Sequence, residues 1–185
     1  NRAVPMNHPP MPVASSVPPS KHPAVRVCAP GLGLLFVAYS AFLNAGYRVD
    51  DSFILYRYAR NIANGIGPCF NPGEYVEGFT SFLWTYLLAG WIRLGFDVAQ
   101  AGSWMGLAFA LGALVWIHGI ALTISGKPSL AWIVTILAAF SGPLAFWAAQ
   151  GLETPLYAFA LLGAIRFDLR EREDPGRERP AALSV

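Results

Sequence analysis

The chain has 185 residues, of which 55% are hydrophobic and 13% charged, about half the charge of an ordinary soluble domain. Of its 13 basic and 11 acidic residues, ten lie within 166–179, seven within 48–77 and three before Cys28, leaving only Arg93, Asp97, Lys127 and Glu153 for 79–165. That distribution excludes a soluble globular domain and predicts an all-α, polytopic membrane protein. A net charge of +2 with no basic run interleaved with aromatics excludes a nucleic-acid binder.

Residues 1–30 hold eight prolines and few apolar clusters, the composition of a disordered tail. Residues 31–167 read as the membrane module. Its first segment, 31–47, is uncharged and at the short end for a spanning helix. From 52 to 64, Ile54, Leu55, Tyr58, Ala59 and Ile62 recur at helical spacing, with Phe53, Arg57, Arg60, Asn61 and Asn64 on the other side, which predicts an amphipathic helix at the membrane interface. Gly65 and Gly67 end it, and the outer loop 48–78 closes with Asn71, Gly73, Glu74 and Glu77. Residues 79–92 are apolar but short, 98–124 are long enough to cross a bilayer, and 128–152 are interrupted by Gly142-Pro143. The apolar run 154–165 is short, and Arg166 and Arg170 are expected to snorkel to the headgroups beyond it. Residues 168–185 are expected to form a charged cytoplasmic loop or tail. Cys28 and Cys69 stand in such different contexts that no disulfide is expected between them.

Lys and Arg placement sets the orientation. The N-terminal tail, Lys127 and the arginine-rich end all prefer the cytoplasm, so 79–96 is expected to be re-entrant or juxtamembrane and to add no crossing. Residues 50–77 and Glu153 then share the outer face.

Three features could carry chemistry. Asp50 and Asp51 stand where the first span leaves the membrane; one of them could serve as a helix N-cap, but a second adjacent carboxylate costs repulsion and needs another reason. Glu153 is the one charge between 128 and 165. It either stabilises the helix that starts at Thr154-Pro155 or faces the same cavity as the aspartates, able to bind a metal or a sugar hydroxyl. Arg57 and Arg60, three residues apart, could hold a lipid-linked phosphate or merely contact anionic headgroups. His118, inside a long apolar span, reads as a packed or interhelical hydrogen-bonding histidine rather than a ligand. On the residues alone, a transport or channel component lined by Glu153 and the Gly142-Pro143 break, or a non-catalytic membrane scaffold, remain alternatives to an enzyme.

The stretch from Asp50-Asp51 through Tyr56-Arg57, Arg60-Asn61, Gly65-Ile66-Gly67 and Asn71-Pro72-Gly73-Glu74 to Val76-Glu77-Gly78 resembles the first extracytoplasmic loop of the GT-C glycosyltransferases. It is most similar to the branch containing the mycobacterial terminal arabinofuranosyltransferases, and Gly151-Leu152-Glu153-Thr154-Pro155 resembles that branch's second short motif. The resemblance implies the N-terminal part of a multi-pass, inner-membrane enzyme that passes a sugar from a polyprenyl-phosphate donor to a hydroxyl of a cell-envelope glycan or other acceptor. It also implies Asp50 as catalytic base, with Asp51 the second candidate, and substrate binding by Arg57, Arg60, Asn71, Glu77 and Glu153. A divalent cation, magnesium or manganese, is the implied cofactor, with Glu153 its ligand.

Overall fold

A computed structural model describes residues 23–44, 47–74, 76 and 78–173. Residues 1–22 of the proline-rich tail and 174–185 of the charged end lie outside the described residues, as does Glu77. Among the described residues the chain is all-helical, with seven helices and no strand: α1 Pro23–Leu43, α2 Asp50–Ala63, α3 Phe82–Arg93, α4 Val98–Ser125, α5 Pro128–Ala139, α6 Gly142–Ala148 and α7 Thr154–Glu173.

The organising element is α4. Asp97 caps it, its side chain accepting from Ala99 N and Gln100 N at 3.0 Å each, and Gly126 ends it in the left-handed conformation (φ 63°). At 28 residues it is about 42 Å long, and among the described residues it is the one helix long and apolar enough to cross a membrane alone. Helices α5 and α6 meet that test only as a pair bent by 60°, at the Gly142-Pro143 break, where Pro143 lacks a donor for a continuous ladder. The apolar part of α1, Gly31–Leu43, is shorter, and α3, with 12 residues, rises only about 18 Å.

Two clusters of buried side chains sit on opposite faces of α4. Phe36, Leu107, Ala110, Leu114, Ala139, Ala145 and Ala148 join it to α1, α5 and α6. Leu55, Tyr56, Ala59, Trp84, Leu88, Ala89 and Val98 join its start to α2 and α3. Small residues set the spacing: an added Cβ at Gly106 would run into the Ala148 carbonyl, with the carbonyl carbon 3.3 Å away. Trp104, Val115 and Ile124 of α4 stay exposed, a large apolar surface for a chain in water.

One expectation changes. On α2 the apolar face is rotated: Ile54 is exposed while Asn61 is buried, because α3 takes one side of the helix and the following loop folds over Asn61. Arg166 Nη1 donates to Thr123 Oγ1 at 2.7 Å, a partner the sequence did not indicate, and α7 runs on to Glu173. His118 pairs between helices as expected, Nδ1 lying 3.2 Å from Thr135 Oγ1. Cys69 is free and buried.

Gly106 and Gly90 separate close packing from helix propensity. Alanine at Gly106 must displace backbone, an overpacking cost of about 1–3 kcal/mol, whereas alanine at Gly90 meets nothing within 4 Å and gains up to about 1 kcal/mol of propensity. Thermal midpoints in detergent should therefore fall for Gly106→Ala and hold or rise for Gly90→Ala; equal shifts would contradict the close α4–α6 contact.

Candidate active site

Helix α2 begins with an extended residue, Val49 (φ −70°, ψ 136°), that makes no side-chain cap. Asp50 and Asp51 are therefore the first two helical residues, and neither is the N-cap. Both are exposed, at the positive end of the helix dipole, and neither forms a salt bridge among the described residues.

What fixes this turn comes from about a hundred residues away. The Gln150 side chain is fully buried. Its Oε1 accepts from Val49 N at 2.9 Å, its backbone carbonyl accepts from the buried Ser52 Oγ at 2.6 Å, and its Nε2 donates to Asn44 Oδ1. Asn44 Nδ2 in turn donates to Ser40 O at 2.7 Å. Buried amides are costly unless paired, and this one is paired at both ends. A second clamp comes from Arg48, whose Nη1 donates to Ser103 Oγ (3.0 Å), Tyr56 Oη (3.2 Å) and Ala99 O (3.3 Å); Ser103 Oγ also donates to Ala149 O at 2.9 Å.

The Gly151-Leu152-Glu153 segment is thus seated against α2. Gly151 has φ 79°, its carbonyl accepts from Trp84 Nε1 at 2.8 Å, and an added Cβ would collide with the Tyr56 hydroxyl. Glu153 directly precedes α7, with Tyr157 N bonded to its carbonyl at 3.1 Å. Its Oε2 is buried without a hydrogen-bond partner among the described residues, which is unfavourable for a carboxylate oxygen.

Downstream, the loop is pinned at both ends. Asn61 Nδ2 donates to Cys69 O (2.7 Å) and Phe70 O (3.0 Å), and Arg57 Nε donates to Phe70 O (3.1 Å). The Tyr58 hydroxyl donates to Val76 O (2.8 Å) and accepts from Gly78 N (3.1 Å). Gly65 and Gly67 make the turn with φ 77° and 109°. Asn71 donates to Glu74 at 3.0 Å and is exposed. Arg57 and Arg60 are exposed on α2, about 10 and 15 Å along the helix from Asp50.

The structure therefore brings Asp50, Asp51 and the segment bearing Glu153 together, and sets Arg57, Arg60 and Asn71 further along α2 and its loop. Among the described residues no group of three or more His, Cys, Asp or Glu could hold a metal ion, so Glu153 has no ready-made ligand set around it. Gln150, Arg48, Ser52 and Tyr56 were not anticipated as site residues. The one signal in the sequence was that Gln150 adjoins the Gly151-Leu152-Glu153 motif. The aspartates also lie far from the basic end of the bundle: Arg48 meets Ala99 at the start of α4, and Arg166 meets Thr123 near its end, about 36 Å apart.

Burial pushes the Tyr56 hydroxyl above its ordinary value of 10.0, the Arg48 guanidinium opposing it. A raised folded-state value means stability present in full below about pH 10 and lost as pH rises through the folded value. Thermal midpoints followed from pH 8 to 11 should decline less steeply above pH 10 in Tyr56→Phe than in the wild type. Parallel declines would show that Tyr56 is not the buried titrating group.

No protein-family model matches the chain, and no solved structure does. It is 32% identical over 151 residues to a terminal β-(1→2)-arabinofuranosyltransferase of Mycobacterium tuberculosis, covering 71% of this chain and 22% of that protein. It is 38% identical over 69 residues to a protein of the same name from Corynebacterium glutamicum, covering 36% of this chain and 10% of that one. The matched part is thus about a fifth of the mycobacterial relative's length, and both relatives carry the name of the branch that the two motifs resemble.

Proposed function

We propose that this chain is the N-terminal part of a GT-C-type membrane glycosyltransferase, with the aspartate pair as its catalytic centre and a polyprenyl-phosphate sugar as its donor. The observation that carries the reading is the joining of two motifs a hundred residues apart: Gln150, next to the second motif, holds the turn bearing Asp50 and Asp51. Two curated arabinofuranosyltransferase relatives support the class of reaction.

In this reading α4 crosses the membrane, as do the bent α5–α6 pair, α1 and α7, while α2 and the short α3 lie along the outer interface. The exposed apolar residues of α3, Phe82, Leu83 and Trp91, face lipid, with Trp91 suited to the headgroup level. Lys127 and the basic end of α7 stay in the cytoplasm, and the aspartates, at the other end of α4, face outward.

The acceptor hydroxyl is a weak nucleophile at neutral pH. Asp50 takes its proton as the acceptor oxygen bonds to the anomeric carbon, and the bond from that carbon to the phosphate oxygen breaks as polyprenyl phosphate leaves. A single displacement inverts the anomeric centre. Exposure leaves the Asp50 carboxylate accessible to the acceptor, and Asp51 is the alternative base. Arg57 and Arg60 receive the negative charge developing on the phosphate, the free Nη groups of Arg57 reaching beyond its anchor at Phe70. Glu153 binds the sugar, whose hydroxyl gives the orphaned Oε2 the donor it lacks, and Asn71 and Glu77 contact substrate from the loop. The residues present do not form a three-ligand metal site, so no step is routed through a cation.

In the full-length protein, Asp50→Asn should lower sugar transfer by about 10²–10⁴-fold at normal membrane abundance. Transfer assays with a polyprenyl-phosphate pentose donor check this. Full activity in both Asp50→Asn and Asp51→Asn would overturn the assignment.

A further inference from the structure

We infer that Gln150 and Ser52 are positioning residues for the catalytic base: their two hydrogen bonds pin residues 49 and 52, and so fix the two aspartates between them. This rests on the transferase reading above.

The geometry has three parts. First, α2 lacks the usual means of securing its start, since Val49 offers no side-chain cap. Second, the missing restraint is supplied externally by one residue using two different groups: Gln150 Oε1 on Val49 N (2.9 Å) and Gln150 O on Ser52 Oγ (2.6 Å). Residues 50 and 51 are the whole of what lies between those anchors. Third, the anchor itself cannot drift. Gln150 is fully buried, its Nε2 is tied to Asn44, and the next residue, Gly151, is held by Trp84 and packed under Tyr56.

A carboxylate acting as a base must stand within hydrogen-bond reach of one particular hydroxyl, and a misplacement of about 1 Å can cost 10²-fold in rate. The side chains of Asp50 and Asp51 are exposed and make no bonds of their own among the described residues, so their placement depends on the backbone. Loosening residues 49–52 should therefore slow the chemical step. Donor affinity, which rests on Arg57, Arg60 and the loop, should stay as it was.

The test uses Gln150→Met, which conserves volume while removing both polar side-chain atoms, and Ser52→Ala, which cuts the second link alone. Both are made in the full-length enzyme and assayed with a polyprenyl-phosphate pentose donor, with rates normalised to donor-binding sites. The expected result is a kcat lower by about 10- to 100-fold in Gln150→Met and by several-fold in Ser52→Ala, with donor KM within twofold. A purely structural role would lower the number of donor-binding sites and leave normalised kcat unmoved, and that result would overturn the inference. Should Gln150→Met fail to accumulate, Ser52→Ala decides by the same criteria. Full activity in both Asp50→Asn and Asp51→Asn would instead remove the assignment of the aspartates as the catalytic base, and the positioning role with it.

Discussion

The side-chain amide of Gln150 is the contact on which this end of the molecule depends. It joins the end of α1 through Asn44 and the start of α2 through Val49, while the backbone carbonyl of the same residue takes the Ser52 hydroxyl. Each such bond contributes about 1 kcal/mol net, too little to account for the fold. The larger effect is the cost of leaving buried donors and acceptors unpaired, which penalises any arrangement in which the loop before α7 is not seated on α2. The left-handed Gly151 follows directly: with Trp84 on its carbonyl and the Tyr56 hydroxyl over its Cα, only a residue without a Cβ lets the loop approach closely enough.

The two ends of α4 then acquire different characters. At its start, Arg48, Ser103, Tyr56 and Gln150 form a polar layer beneath an uncapped, doubly acidic helix start. At its far end, Arg166 and Thr123 pair beside the turn at Lys127. Between them, apart from the His118–Thr135 pair, the contacts are apolar and close, through alanines and glycines such as Gly106 and Ala110, small residues that let helices pack closely. A long apolar helix with polar clusters of different kinds at its ends is what the proposed membrane transferase, with its chemistry on one side, requires.

Much of this was legible in the sequence. The helical content, the amphipathic α2, its stop at Gly65 and Gly67, and the bend at Gly142-Pro143 all follow from local periodicity and backbone preference, which operate over a few residues. The acidic pair was visible because adjacent carboxylates at an apolar boundary have no packing explanation. The partners that hold them were not visible. Gln150, Asn44 and Arg48 act across separations of 51 to 106 residues, and no periodicity encodes which distant amide will meet which backbone N–H. For the same reason Asn61 was placed on the wrong side of α2: a polar residue can be buried when a loop supplies two carbonyls for its amide. The Arg166–Thr123 bond was not visible either, because nothing near Arg166 in sequence announces Thr123.

The central claim is that a side chain a hundred residues away secures the first turn of α2, and amide exchange at Val49 tests it most directly. Val49 precedes the helix, so its N–H has no intrahelical partner, and Gln150 Oε1 is what holds it. The account predicts that the Val49 amide exchanges slowly in the wild type and at the rate of an open amide in Gln150→Met, while the amides of α2 beyond Leu55 stay protected. Rapid exchange at Val49 in the wild type, or protection that survives Gln150→Met, would contradict it.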